Sequence, residues 1–154
     1  MKRRIDARQG KFRVKLDPRE RELIRGLLGE LREMLALEPG DPRVRRLYPA
    51  AYATDQELED EYQRMTRDEL QSSRLAAIEA VEQSVEKELL SPEELTAWMQ
   101  AVNSLRLVLG TLLEITEDGQ EPVFDPNDPS ARTVALYGYL GGLLDEIVEA
   151  QLSP

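Results

Sequence analysis

Phe12, Val14 and Leu16 alternate with Lys11, Arg13 and Lys15, the period of a strand with one apolar and one basic face. Ile5 and Ala7 alternate less regularly before them, and Arg8-Gln9-Gly10 supplies a glycine for an intervening turn. Residues 1–16 are therefore predicted to form a basic β-hairpin. Two strands alone are marginal in water, so its apolar face must pack on a helix. From Asp17 the period changes to that of a helix. Asp17-Pro18-Arg19-Glu20 combines a capping side chain, a proline suited to the first helical position and a glutamate three residues after the cap. Leu23, Ile24, Leu27, Leu28, Leu31, Met34 and Leu35 follow at helical spacing as far as Pro39-Gly40.

Pro39, Gly40, Pro42 and Pro49 break residues 38–54 into irregular structure, with room for one helical turn after Asp41-Pro42. Thr54-Asp55-Gln56-Glu57 and Thr66-Arg67-Asp68-Glu69 each have the capping-box pattern. They predict two helices, or one kinked helix, with Leu70, Ile78, Val81, Val85 and Leu89 on the buried side. Ser91-Pro92-Glu93-Glu94 is the clearest helix start. Behind it Leu95, Trp98, Val102, Leu105, Leu109 and Leu112 share one face, which Leu107, Val108 and Leu113 widen, as expected of a central helix packed on several sides. That helix is predicted to end at Glu117-Asp118-Gly119-Gln120, and residues 118–129 to form a polar loop. Asp128-Pro129 opens a last helix whose Leu136, Leu140, Leu143, Leu144, Ile147 and Val148 face the core. The reading is a mostly α chain: one domain over residues 1–154, with a short N-terminal β-hairpin over 1–16 and a five-helix, bundle-like body over 17–152.

Composition narrows the chemistry. The 154 residues include no cysteine and no histidine, which excludes disulfides, thiol nucleophiles, Ser-His-Asp triads and His-ligated metals. The net charge is −10, but it is unevenly spread. Residues 1–49 carry 14 Lys or Arg against 8 Asp or Glu, whereas residues 50–154 carry 6 against 22. Such asymmetry marks either an interaction surface or two halves that attract each other within one fold. The N-terminus lacks the apolar stretch of a secretory signal, and no run is long enough to span a membrane. A cytoplasmic protein without membrane contact is expected.

Arg106 lies on the shoulder of the apolar face of the Trp98 helix, near Asn103. A guanidinium there must be satisfied, either as an anion clamp or as one half of an ion pair with a carboxylate from another helix. The ion pair is the favoured reading. Glu79, Glu82 and Glu86 form a stripe that could be imagined to hold a hard cation, but a solvated acidic face explains it better, and no metal or cofactor is assigned. Gly26, Gly29, Gly138, Gly141 and Gly142 interrupt strong helical patterns without any phosphate-loop spacing. Close helix–helix approach, within the monomer or in a homodimer, is the expected reason. Tyr137 and Tyr139 flank Gly138 and are expected in the core. Lys2, Arg3, Arg4, Arg8, Lys11, Arg13 and Lys15, with Arg43, Arg45 and Arg46, make the one nucleic-acid-like footprint, although a charge of −10 opposes approach to DNA.

The segment from Ala97 through Trp98, Asn103, Arg106 and Leu109-Gly110 to Ile115 resembles the hallmark of an actinobacterial domain-of-unknown-function family, the AosR-like proteins, which include an oxidative-stress transcriptional regulator. Phe12-Arg13, Leu16-Asp17-Pro18, the stretch Asp41-Pro42 to Arg46-Leu47-Tyr48-Pro49, Tyr52 and Tyr137 match the same family, so the resemblance covers nearly the whole chain. It implies a non-enzymatic regulatory or interaction protein that acts through protein partners. Direct DNA binding through Lys11, Arg13, Lys15, Arg43, Arg45 and Arg46 is the alternative. Members are often encoded near the ClpS protease adaptor, which implies a further context as an accessory in regulated proteolysis. Thiol-based redox sensing cannot operate in this chain, because there is no cysteine to oxidise.

Overall fold

The computed structural model describes residues 3–37, 41–49, 51–52, 54–113 and 125–153. In chain order these form β1 (Ile5–Arg8), β2 (Lys11–Val14), α1 (Pro18–Leu35), a single 3-10 turn (Arg45–Leu47), α2 (Gln56–Ser84), β3 (Leu89–Leu90), α3 (Pro92–Leu112) and α4 (Ala131–Leu152). The architecture is mostly helical, as the periodicity predicts. The hairpin turn is Gln9-Gly10, both with positive φ (48° and 82°), and it sets Arg8 opposite Lys11 and Ile5 opposite Val14. Two consecutive positive φ values match the twist of the flanking strands, and glycine takes its value without a Cβ penalty.

The hairpin and α2 differ from the sequence expectation. The hairpin gains a third antiparallel strand, with Leu90 beside Phe12 and Leu89 beside Arg13; the Val14 N–H also donates to Glu88 O at 2.8 Å. Leu89 therefore lies outside any helix and is 47% exposed, while Leu90 is buried. The two helices expected over 54–89 are one continuous α2 of 29 residues. Thr66 does not cap: its hydroxyl donates back to Tyr62 O at 2.8 Å, a bond compatible with the helical frame. The described residues accordingly hold four α-helices, not five. The predicted end of the Trp98 helix at 117–120, and most of the loop after it, lie outside the described residues.

Both strong start signals are used. Asp17 and Ser91 each form a complete capping box with Glu20 and Glu94, satisfying backbone N–H groups that the first turn leaves without partners. α3 is central: it packs on α1, α2, α4 and the sheet. Its Trp98 is wholly buried among Ile24, Leu28, Ile78, Val81, Leu95 and Ile147 in one core, with the indole N–H donating to Ser84 Oγ at 2.9 Å. Side chains on α2 close carbonyl ends elsewhere: Gln71 donates to Leu35 O at 2.6 Å and Arg74 to Leu47 O at 2.7 Å. Among the described residues no helix is long and apolar enough to cross a membrane.

Candidate functional site

Four sets of arginines and lysines make up the chemistry this chain can offer, and the fold places each differently. The first lies on α4. Tyr137, Tyr139, Gly141 and Gly142 follow one another around two helical turns and hold two guanidinium groups. The Arg106 guanidinium, from α3, lies 4.6 Å from the centre of the Tyr137 ring, and its Nε and Nη2 atoms come within 3.4 Å of the point a Cβ on Gly141 would occupy. The Arg4 guanidinium lies 5.0 Å from the centre of the Tyr139 ring, and its Nη2 is 3.3 Å from the corresponding point on Gly142. Cations are attracted to the ring faces, and the missing side chains let the flat groups approach the helix. These glycines thus accommodate arginines, not a neighbouring helix backbone as predicted. At Gly26, Gly29 and Gly138 a Cβ would meet nothing within 4 Å, so these three mediate no close approach within the monomer.

The two cradles differ electrically. Arg4 is neutralised: its backbone N–H and Nε donate to Glu146 at 2.6 and 2.8 Å, and Glu20 stands 3.8 Å away. The Tyr139 hydroxyl donates to Glu20 Oε1 at 3.3 Å. Burial, reinforced by the Glu20 charge, pushes the Tyr139 hydroxyl up to about 12. For Arg106 the expected carboxylate is missing: among the described residues none pairs with it, and its buried Nε has no hydrogen-bond partner. Asn103 is exposed. The reason is geometric. The seam between α3 and α4 presents the Tyr137 ring to the guanidinium.

Arg21 is the buried arginine that the sequence reading missed. It is only 8% exposed and donates to Leu16 O at 3.0 Å, Lys87 O at 3.1 Å, Val14 O at 3.4 Å and also to Val85 O. It thereby joins β2, the start of α1 and the end of α2. The signal was present, because Arg21 stands seven residues before Leu28 and fourteen before Leu35, on the buried stripe of α1.

The remaining two sets are basic surfaces. On the outer face of the sheet Lys11, Arg13 and Lys15 are exposed alongside Arg8. Lys15 is 2.8 Å from Asp6, and its hydrogen bond holds that carboxyl below the usual range. Among the described residues no carboxylate is ion-paired with Arg8, Lys11 or Arg13; Lys2 lies outside them. At the 3-10 turn, Arg43 donates to both oxygens of Asp41, holding that carboxyl at about 2. Arg45 is exposed, and Arg46 is half-buried with Nη1 2.8 Å from the Cβ position of Gly110. The sheet packs on α3 and α4 and the turn on α3, with Arg74 of α2 also donating to Leu47 O of the turn.

Much of the charge asymmetry is resolved inside the molecule. Arg3 pairs with Glu149, Arg4 with Glu146, Arg25 with Glu86, and Arg32 with Glu82. Glu82 on α2 and Glu86 just beyond its end thus face arginines of α1. Among the described residues there is no group of three carboxylates placed to hold a metal.

The oxidative stress regulator AosR of Mycobacterium tuberculosis, and that of Mycobacterium bovis, are 28% identical to this chain over 186 aligned positions, covering 95% of it and 85% of the regulator. No solved structure matches. A family model described as a domain of unknown function, DUF2017, matches residues 2–151, and the chain belongs to that family.

Proposed function

We propose that this protein is a non-enzymatic regulator of the oxidative-stress response that acts in the cytoplasm through protein partners. The observation carrying this reading is the similarity to oxidative stress regulator AosR over 95% of the chain. The chemistry is compatible with it. Arg4 and Arg106 are engaged with Tyr139 and Tyr137 of α4, and the sequence has no cysteine or histidine to serve as a nucleophile or imidazole base. A redox signal would reach this chain through a partner or through methionine, since no thiol is present.

The test is to delete the gene in its native host and compare transcripts before and after peroxide challenge. A set of oxidant-induced transcripts that fails to respond in the deletion strain, and recovers on complementation, is the expected result. Identical responses in both strains would overturn the reading. Direct DNA binding is the second reading, favoured by the unpaired Arg8, Lys11 and Arg13 on the sheet. Replacing Lys11, Arg13 and Lys15 with glutamine would then abolish a salt-dependent shift of duplex DNA, whereas no shift at low salt would remove it.

A further inference from the structure

The C-terminal halves of α1 and α3 line a groove of about 440 Å³. Its floor is Leu27, Leu31, Leu105 and Val108, and its upper walls are Met34, Leu37, Leu109 and Leu112. The floor residues are buried, the next three are half-buried, and Leu112 is 50% exposed. The electrostatics of the rim are one-sided. Glu30 and Glu33 line the α1 lip, and among the described residues neither is ion-paired. Arg43 is the cation at the rim, and Asp41 neutralises it. The last turn of α3 contains no basic residue, so its carbonyl end adds partial negative charge.

We propose that this groove is the docking site for an amphipathic helix of a partner protein, whose apolar stripe enters between α1 and α3 and whose flanking lysines or arginines meet Glu30 and Glu33. A hydrophobic groove between helices is a usual receptor for anchors at i, i+3 or i+4, and i+7. The acidic rim selects the sign of the flanks. A second copy of this chain is disfavoured as occupant, because it would bring a net charge of −10 to an already negative lip. The proposal rests on the reading of the protein as a partner-binding regulator and assigns that binding to a place.

The experiment uses the full chain with methyl-labelled Leu, Val and Met, titrated with two synthetic 18-residue peptides. Both carry leucines at helical spacing; one has lysines on the polar face and the other glutamates. Saturable shifts of the Met34, Leu37, Leu109 and Leu112 methyls with the lysine peptide are expected, with affinity about tenfold above that of the glutamate peptide. Glu30→Lys with Glu33→Lys, on the α1 lip, should reverse that preference while leaving the unbound methyl spectrum folded. No saturable binding, shifts elsewhere on the protein, or equal binding of both peptides would overturn the proposal. So would concentration-dependent dimerisation that covers these methyls without peptide. Peptide binding alongside an unaltered transcript response would remove the regulatory reading but leave the groove assignment standing; the reverse pair of results would remove the groove alone.

Discussion

Arg21 and Arg106 sit on the apolar stripes of two different helices, yet the molecule treats them in opposite ways. Around Arg21 the chain changes direction three times: β2 ends, α1 begins and α2 terminates. Each change leaves a carbonyl without a helical or strand partner, and the guanidinium collects Val14, Leu16, Val85 and Lys87. Arg106, half-buried, has no carboxylate partner among the described residues; its buried Nε lacks a hydrogen-bond partner and its guanidinium lies over the Tyr137 ring. The difference lies in the partners the fold brings to each cation, backbone carbonyls in one case and an aromatic ring in the other, and not in the cation's angle on its helix.

The largest test of that contrast is Arg21→Leu. It strands several buried carbonyls and should lower unfolding free energy by about 3 kcal/mol in urea denaturation. Arg21→Lys should recover only a small part, since one ammonium cannot span four acceptors. A loss below about 1 kcal/mol would mean that water reaches these carbonyls, and the contrast would collapse.

A smaller effect belongs to the neutralised cradle and appears only in alkali. Tyr139 titrates near 10 when unfolded and at about 12 in the fold. A raised folded value means that its contribution is fully present below pH 10 and is lost as pH climbs from about 10 to about 12. Denaturation midpoints of wild type and Tyr139→Phe should therefore converge across that window. Parallel decline of the two would show that the hydroxyl is not the titrating group.

Smallest is Arg106→Leu, expected to change stability by no more than about 1 kcal/mol, the scale of a partly exposed cation–π contact. Gly141→Ala sharpens this point. The added methyl would touch the guanidinium in wild type, so the substitution should be less favourable there than in Arg106→Leu, where only the gain in helix propensity remains. Additive free energies in this double-mutant cycle would break the cradle interpretation.

The legible parts of this molecule share one property: the cause lies within a few residues of the effect. Asp17-Pro18 and Ser91-Pro92 announce their helices because the capping groups are local. Gln9-Gly10 announces its turn, and the circumferential apolarity of α3 announces a central helix. Thr66 misled because a capping box is only an offer, and a helix whose next turns are already supported has no reason to accept it. Leu89 misled because a two-residue strand has no periodicity to read; it exists only where β2 offers an open edge.

The candidate sites divide along the same line. The sequence by itself determined the helical class, the starts of α1 and α3, the absence of thiol and imidazole chemistry, and the opposition of a basic first third to an acidic remainder. Only the tertiary structure decided that Arg3, Arg4, Arg25 and Arg32 meet carboxylates of α4 and α2, that Gly141 and Gly142 receive arginines, and that Arg21 is the buried cation. Those outcomes depend on which carbonyls, rings and carboxylates arrive from residues distant in the chain, and neither spacing nor propensity encodes that arrival.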